Sequence, residues 1–151
     1  MTPELRSEIK RQLTHDEGKR YKAYVCSAGK LTIGIGRNLE DVGISEATVD
    51  QLFNEDLNKC VIHAERMFPQ HWATFSDLRK AGIINMIFNL GAVGFSQFKN
   101  MIEAIKKNDR EAIRKHGASS LWAHQVKSRA QRVLTLIADE IDIYPNEGGK
   151  Q

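Results

Sequence analysis

The sequence predicts a mainly α, α+β fold: a small strand lobe near the N-terminus and a larger helical lobe, joined by one long helix. Three observations predict it. Leu5, Ile9 and Leu13 recur every four residues, the spacing of one helix face. Leu31, Ile33 and Ile35 then alternate with Thr32, Gly34 and Gly36, the period of a strand. From Val49 onward the steps of three and four return, and the rest of the chain keeps a helical pattern.

The elements follow in order. Thr2-Pro3-Glu4 starts the first helix: Thr caps it, Pro fills the first turn and Glu complements the dipole. That helix runs to about Asp16, and Gly18 is suited to a left-handed cap. Tyr21 to Cys26 alternates as a strand, Ser27 to Lys30 forms a hairpin loop, and Lys30 to Gly36 is the returning strand. A third short strand is expected near Arg37 to Leu39. Ser45 caps a long helix carrying Val49, Leu52, Phe53, Leu57, Cys60, Val61, Ala64 and Met67, which ends before Pro69. Ser76 starts a helix apolar nearly all round, the expected centre of the helical lobe, with Gly91 stopping it. Phe98, Met101, Ile102 and Ile105 mark another helix. Asn108 is expected to cap the next, ending at His116-Gly117. A short helix near Trp122 and one from about Ser128 to Glu140 complete the set, and the tail from Pro145 is expected to fray. The lobes are expected at about 13–44 for the strands, 45–68 for the linking helix, and 69–151 with the N-terminal helix for the helical part, all within one domain.

Composition narrows the class. The 151 residues fit one domain or two small lobes sharing a helix, and a hydrophobic share of 41% fills a sizeable core. No apolar run reaches about 18 residues, so no spanning helix is expected. The N-terminus lacks the apolar centre of a signal peptide. The net charge of +3 favours any polyanion and identifies none. No helix-turn-helix spacing or zinc ligand set points to nucleic acid. Cys26 and Cys60 are too few for a disulfide framework and are expected as free thiols, Cys60 in the core. The five histidines show no metal-ligand spacing, and no nucleophile elbow supports triad chemistry.

Glu17 is the residue with chemistry. The C-terminal end of a helix carries partial negative charge, which disfavours a second negative charge there. An acid at that place suits proton delivery. On chemistry alone, a plain solvated carboxylate is the alternative.

Three separated motifs decide between them. Glu17-Gly18 is followed by an aromatic-rich strand, a turn and Thr32-Ile33-Gly34-Ile35-Gly36. Downstream come the helix Ala81 to Gly91 with Asn85, Phe88 and Asn89, and then Trp122 ahead of Ser128-Arg129-Ala130-Gln131-Arg132-Val133. Together they resemble the phage-type lysozymes, the muramidase family of the T-even phage lysozyme, in order from about Leu5 to about Ile141. The resemblance implies an endolysin that hydrolyses the β-1,4 bond between N-acetylmuramic acid and N-acetylglucosamine of bacterial peptidoglycan, for host lysis. It implies no cofactor, a monomer, and a stay in the host cytoplasm until release to the periplasm and wall. It makes Glu17 the acid, gives Thr32 a part in holding the attacking water, and places a cleft between the lobes. Phe88 and Asn89 match positions lining the sugar groove, although Phe88 also reads as plain core. Arg129 matches an arginine that points toward the acid, and is counted with them as substrate-binding.

The departure is Cys26. The family pattern has Asp nine residues after the acid, where this chain has Cys, and Arg37 stands where the family has His. A thiolate is a strong nucleophile, and cations such as Lys22 or Arg37 would raise its share. Cys26 is therefore a catalytic candidate that positions water or supplies negative charge, with a tolerated replacement as the alternative. Gly34 and Gly36 either leave room for a sugar or mark a tight sheet. Lys127, Arg129, Arg132 and Lys106-Lys107 are expected to meet the anionic wall or outer membrane, against the plainer reading of a solvated basic face. A wall-binding module that has lost catalysis is the rival function.

Overall fold

Capping chemistry sets where the helices start. The computed structural model describes residues 1–146. Thr2 Oγ1 accepts from the Leu5 amide at 3.2 Å and opens α1, Pro3–Glu17, with Pro in the first turn. Gly18, at φ 76° and ψ 166°, closes it by donating to Thr14 O at 3.0 Å. This is a glycine conformation other than the left-handed cap expected from sequence.

A three-stranded antiparallel sheet follows, in the order β1 (Arg20–Val25), β2 (Leu31–Gly34), β3 (Arg37–Asn38). Tyr24 faces Thr32, and Thr32 faces Asn38. β1 has the expected six residues but begins and ends one position earlier, and β2 is shorter than the alternation predicts. Cys26 lies just past β1, where its amide donates to Lys30 O at 2.9 Å and its carbonyl accepts from Gly29. Gly34 and Gly36 have positive φ, so β2 cannot continue through them as a regular strand.

From Glu46 the chain is helical: α2 (Glu46–Met67), a 3-10 turn (Trp72–Thr74), α3 (Asp77–Ser96), α4 (Lys99–Lys106), α5 (Arg110–Ala118), α6 (Leu121–Val126) and α7 (Ser128–Asp139). This is a mainly α, α+β fold of the lysozyme-like kind, as the periodicities and the resemblance implied. Ser76, Asp109 and Ser120 cap α3, α5 and α6 with side-chain oxygens. Asp109 takes the role expected of Asn108. Asn108 instead sits at φ 55° and accepts from Arg79 Nη2 at 2.8 Å. Gly91 breaks the helical geometry of α3 at φ 74°, but the helix resumes and reaches Ser96. The expected frayed tail falls mostly on residues 147–151, outside the described residues.

The chain divides into two compact units, Met1–Gln51 and Leu52–Gln151, and the boundary lies inside α2. In the second unit α3 packs on α7, and α5 packs on both α4 and α7. Phe68, Ile83, Met86, Ile87, Phe95, Ile113 and Ile137 are fully buried there, with Cys60 also in the core. Gly82 lets α3 and α7 close up: a Cβ there would lie 2.6 Å from Ile137 Cγ1 and 2.9 Å from Leu136 Cβ. One charged side chain enters this core. Arg79 is 5% exposed, donates from Nε to Ile137 O at 2.8 Å, and has Glu140 at 3.7 Å. Together with its bond to Asn108, it ties the end of α7 and the α4–α5 turn to α3. No single helix among the described residues is long and apolar enough to cross a membrane.

Candidate functional site

The first unit builds a site around Glu17. As the last residue of α1, Glu17 presents an exposed carboxyl to the turn that joins β2 to β3. Gly36 holds that turn against it. A Cβ on Gly36 would lie 3.1 Å from Glu17 Oε2, 3.2 Å from Cδ and 3.3 Å from Cγ. Contacts that short require a shift, so the bare Cα of Gly36 is what lets the carboxyl sit there. Gly34 differs: nothing lies within 4 Å of its added Cβ. Room for a sugar was one expectation for the two glycines, and a tight sheet the other. At Gly36 the space is taken by Glu17.

Cys26 and Thr32 come together at the β1–β2 hairpin. Thr32 is 4% exposed, and its hydroxyl donates to Lys30 O at 2.9 Å. The thiol of Cys26 is free and half-buried. It is held below the ordinary thiol value, first by the Lys30 backbone amide, then by the Thr32 hydroxyl and the Ala28 amide. The cause of the lowering differs from that expected. Hairpin amides and a hydroxyl do it, not Lys22 or Arg37. Arg37 donates from Nε to Gly43 O at 2.8 Å and so braces the loop after β3.

The second unit holds the other three candidates. Phe88 is 44% exposed, so it is not plain core despite the apolar helix that carries it. Its ring faces that of Phe53 at 6.3 Å and 40°. The two rings, with Leu57, Ala81, Ile84, Asn85 and Arg129, line a groove of about 420 Å³. Arg129 donates to Asn85 Oδ1 from Nε at 3.1 Å and from Nη2 at 2.9 Å. Asn89 Oδ1 accepts from the indole of buried Trp122 at 2.8 Å. An aromatic floor with a guanidinium and an amide at its edge suits a sugar, whose apolar face stacks while its substituents take hydrogen bonds. Phe53, Leu57 and Asn85 were not expected as site residues from sequence. Phe53 and Leu57 read there only as part of the α2 stripe, and spacing does not tell an exposed aromatic from a buried one.

The expected basic face is smaller than the sequence suggested. Arg129 is engaged with Asn85, the Arg132 guanidinium lies 5.0 Å over the Tyr144 ring, and Lys106 pairs with Glu103 at 2.7 Å. Lys127 and Lys107 are exposed. Among the described residues, no group of three or more His, Cys, Asp or Glu side chains is placed to hold a metal ion.

Comparisons with known proteins give the family of the chain. The phage lysozyme family profile matches residues 14–141. The chain is 28% identical over 159 aligned positions to "Probable T4-type lysozyme 1" of Dictyostelium discoideum, covering 87% of this chain and 94% of that protein. It is 30% identical to the pre-baseplate central spike protein Gp5 of Enterobacteria phage T4, covering 83% of this chain and 26% of the spike protein. It is 25% identical to the peptidoglycan hydrolase gp36 of Pseudomonas phage phiKMV, over 88% of this chain and 15% of that protein. With a match over most of its length, the chain belongs to the phage lysozyme family, glycoside hydrolases that act on peptidoglycan.

Proposed function

We propose that this chain is an endolysin that cleaves the β-1,4 bond between N-acetylmuramic acid and N-acetylglucosamine, with Glu17 as the acid and Cys26 and Thr32 serving the opposite face of the sugar. The observation that carries the reading is the pairing, within one small unit, of a carboxyl seated on Gly36 and a thiol whose ionisation the hairpin favours. Glycoside hydrolysis needs those two functions: a proton for the leaving oxygen, and a group that delivers water or itself to the anomeric carbon. Glu17 gives its proton to the glycosidic oxygen as the bond breaks. The Cys26 thiolate supplies negative charge toward the oxocarbenium-like transition state or orients a water, and Thr32 holds that water through its hydroxyl. Phe88, Asn89 and Arg129 bind the glycan, with Phe53 completing the aromatic floor. The protein acts as a monomer, in two lobes joined by α2, and reaches the wall from the host cytoplasm once released. Lys127 and Lys107 assist by contact with anionic groups of the wall or outer membrane.

Two measurements test this. Glu17→Gln keeps the shape but cannot donate the proton, so hydrolysis of purified peptidoglycan falls at least about 100-fold with the melting temperature unchanged. The new reducing ends identify the bond: N-acetylmuramic acid ends support the reading, and N-acetylglucosamine ends refute the stated specificity. Binding to sacculi without any clearing would assign the chain to wall binding instead, the outcome that a cysteine in place of the family's carboxylate makes worth testing.

A further inference from the structure

We propose that Tyr144 and Asn85 are positioning residues for Arg129, so that the segment after α7 sets how the groove binds glycan; this rests on the substrate-binding reading of Arg129. Asn85 Oδ1 receives both Nε and Nη2 of Arg129, at 3.1 and 2.9 Å. Arginine has donors only, so the amide must turn its oxygen toward the guanidinium. Its nitrogen then points the other way and donates to the Tyr144 hydroxyl at 3.1 Å. That bond pins the amide. Without it, the Asn85 side chain is free to rotate, and the flipped amide sets a donor against a donor. The second contact of Nη2, to the Asn85 carbonyl at 3.5 Å, is too long to hold Arg129 alone.

The chain is built to deliver the hydroxyl. Glu140, at φ 57°, ends α7 and turns the backbone. Its carboxylate accepts from Ser76 Oγ at 2.7 Å, tying the turn to the start of α3. Asp142 Oδ1 then accepts from the Tyr144 amide at 2.9 Å, closing a tight local turn. The Tyr144 ring is held from its face by the Arg132 guanidinium at 5.0 Å. The buried Nε of Arg132 has no hydrogen-bond partner, so the ring face supplies a contact that this nitrogen does not. Arg129 and Arg132 sit three residues apart on α7, and both are oriented by one tyrosine. One acts through the ring face, the other through the hydroxyl and Asn85.

The test separates positioning from support of the fold. Tyr144→Phe keeps the ring and its contact with Arg132 and removes only the hydroxyl. KM for soluble peptidoglycan fragments is expected to rise about 3- to 10-fold, the size of one lost hydrogen bond, with kcat retained. In an Arg129→Met background the same change should do nothing further, because its target is gone. An equal KM rise in both backgrounds overturns the proposal. A second readout does not need activity: the Arg129 Nε–H resonance, assigned by its loss in Arg129→Met, should exchange faster with water in Tyr144→Phe. An unchanged exchange rate also overturns the proposal. If the wild type cleaves no peptidoglycan, the functional reading fails while the exchange experiment still decides whether Tyr144 holds Arg129.

Discussion

Replacing Gly36 by Ala probes the contact that seats the acid, and Gly34→Ala supplies the comparison. Both glycines have positive φ, +71° and +68°. Placing an L side chain in that region costs about 1–2 kcal/mol at each position. In a chain of this size that lowers the melting temperature by about 2–8 °C in either variant. The variants differ in what the new methyl meets. At Gly34 it meets nothing within 4 Å, whereas at Gly36 it lies 3.1–3.3 Å from three atoms of the Glu17 side chain. The exposed carboxyl is the part able to yield, and must move by a few tenths of an ångström or more. A misplacement of about 1 Å lowers a rate about 100-fold, so a loss of about 3- to 100-fold is expected in Gly36→Ala. The assay is dye release from labelled sacculi, well below both melting temperatures, with circular dichroism to follow the fold. Gly34→Ala should lose stability and keep turnover. Equal turnover in the two variants would refute the seating argument. An equal and large loss in both would return the glycines to the role of making room for sugar.

Three further outcomes are expected. Activity should climb with pH as Cys26 ionises, with a midpoint below the ordinary thiol range; Cys26→Ser should lose the limb and most of the activity, and Cys26→Asp should regain it, whereas full activity of the Ser variant at every pH would sink the thiolate role. Because the folded thiol is held low, Cys26 also contributes stability that is fully present above the ordinary thiol value and is lost as pH falls through the lowered one; melting curves of wild type and Cys26→Ser across that window measure it. Arg79→Met leaves Ile137 O and Asn108 without their partner and should cost about 2–4 kcal/mol, read as a lower denaturant midpoint, with a loss under about 0.5 kcal/mol contradicting the network. Lys127→Gln with Lys107→Gln should slow lysis at low salt and converge on wild type as salt rises; an identical deficit at every salt concentration would remove the electrostatic assistance.

The sequence by itself determined what depends on neighbours in the chain. The change from a period near four to a period of two, and back, is a property of side-chain order. It placed α1, the hairpin and the helices. Ser45 and Ser76 could be read as helix starts because a hydroxyl reaches the amide three residues on wherever the helix begins. Glu17, Thr32 and Cys26 were picked out by a short motif that resembles the family's, and the structure holds all three in the first unit. Tertiary structure decided what depends on residues far apart. Asn108 looked like a cap until Arg79, 29 positions away, took its side chain. Phe88 read as either groove or core on a helix that is apolar all round, and packing left 44% of it exposed beside Phe53. Arg129 and Arg132 looked like a basic surface until Asn85 and Tyr144 engaged them. The physical reason is common to all three. Hydrogen-bond partners and burial are set by which surfaces meet when helices pack, and a pattern along one helix holds no record of what lies across from it.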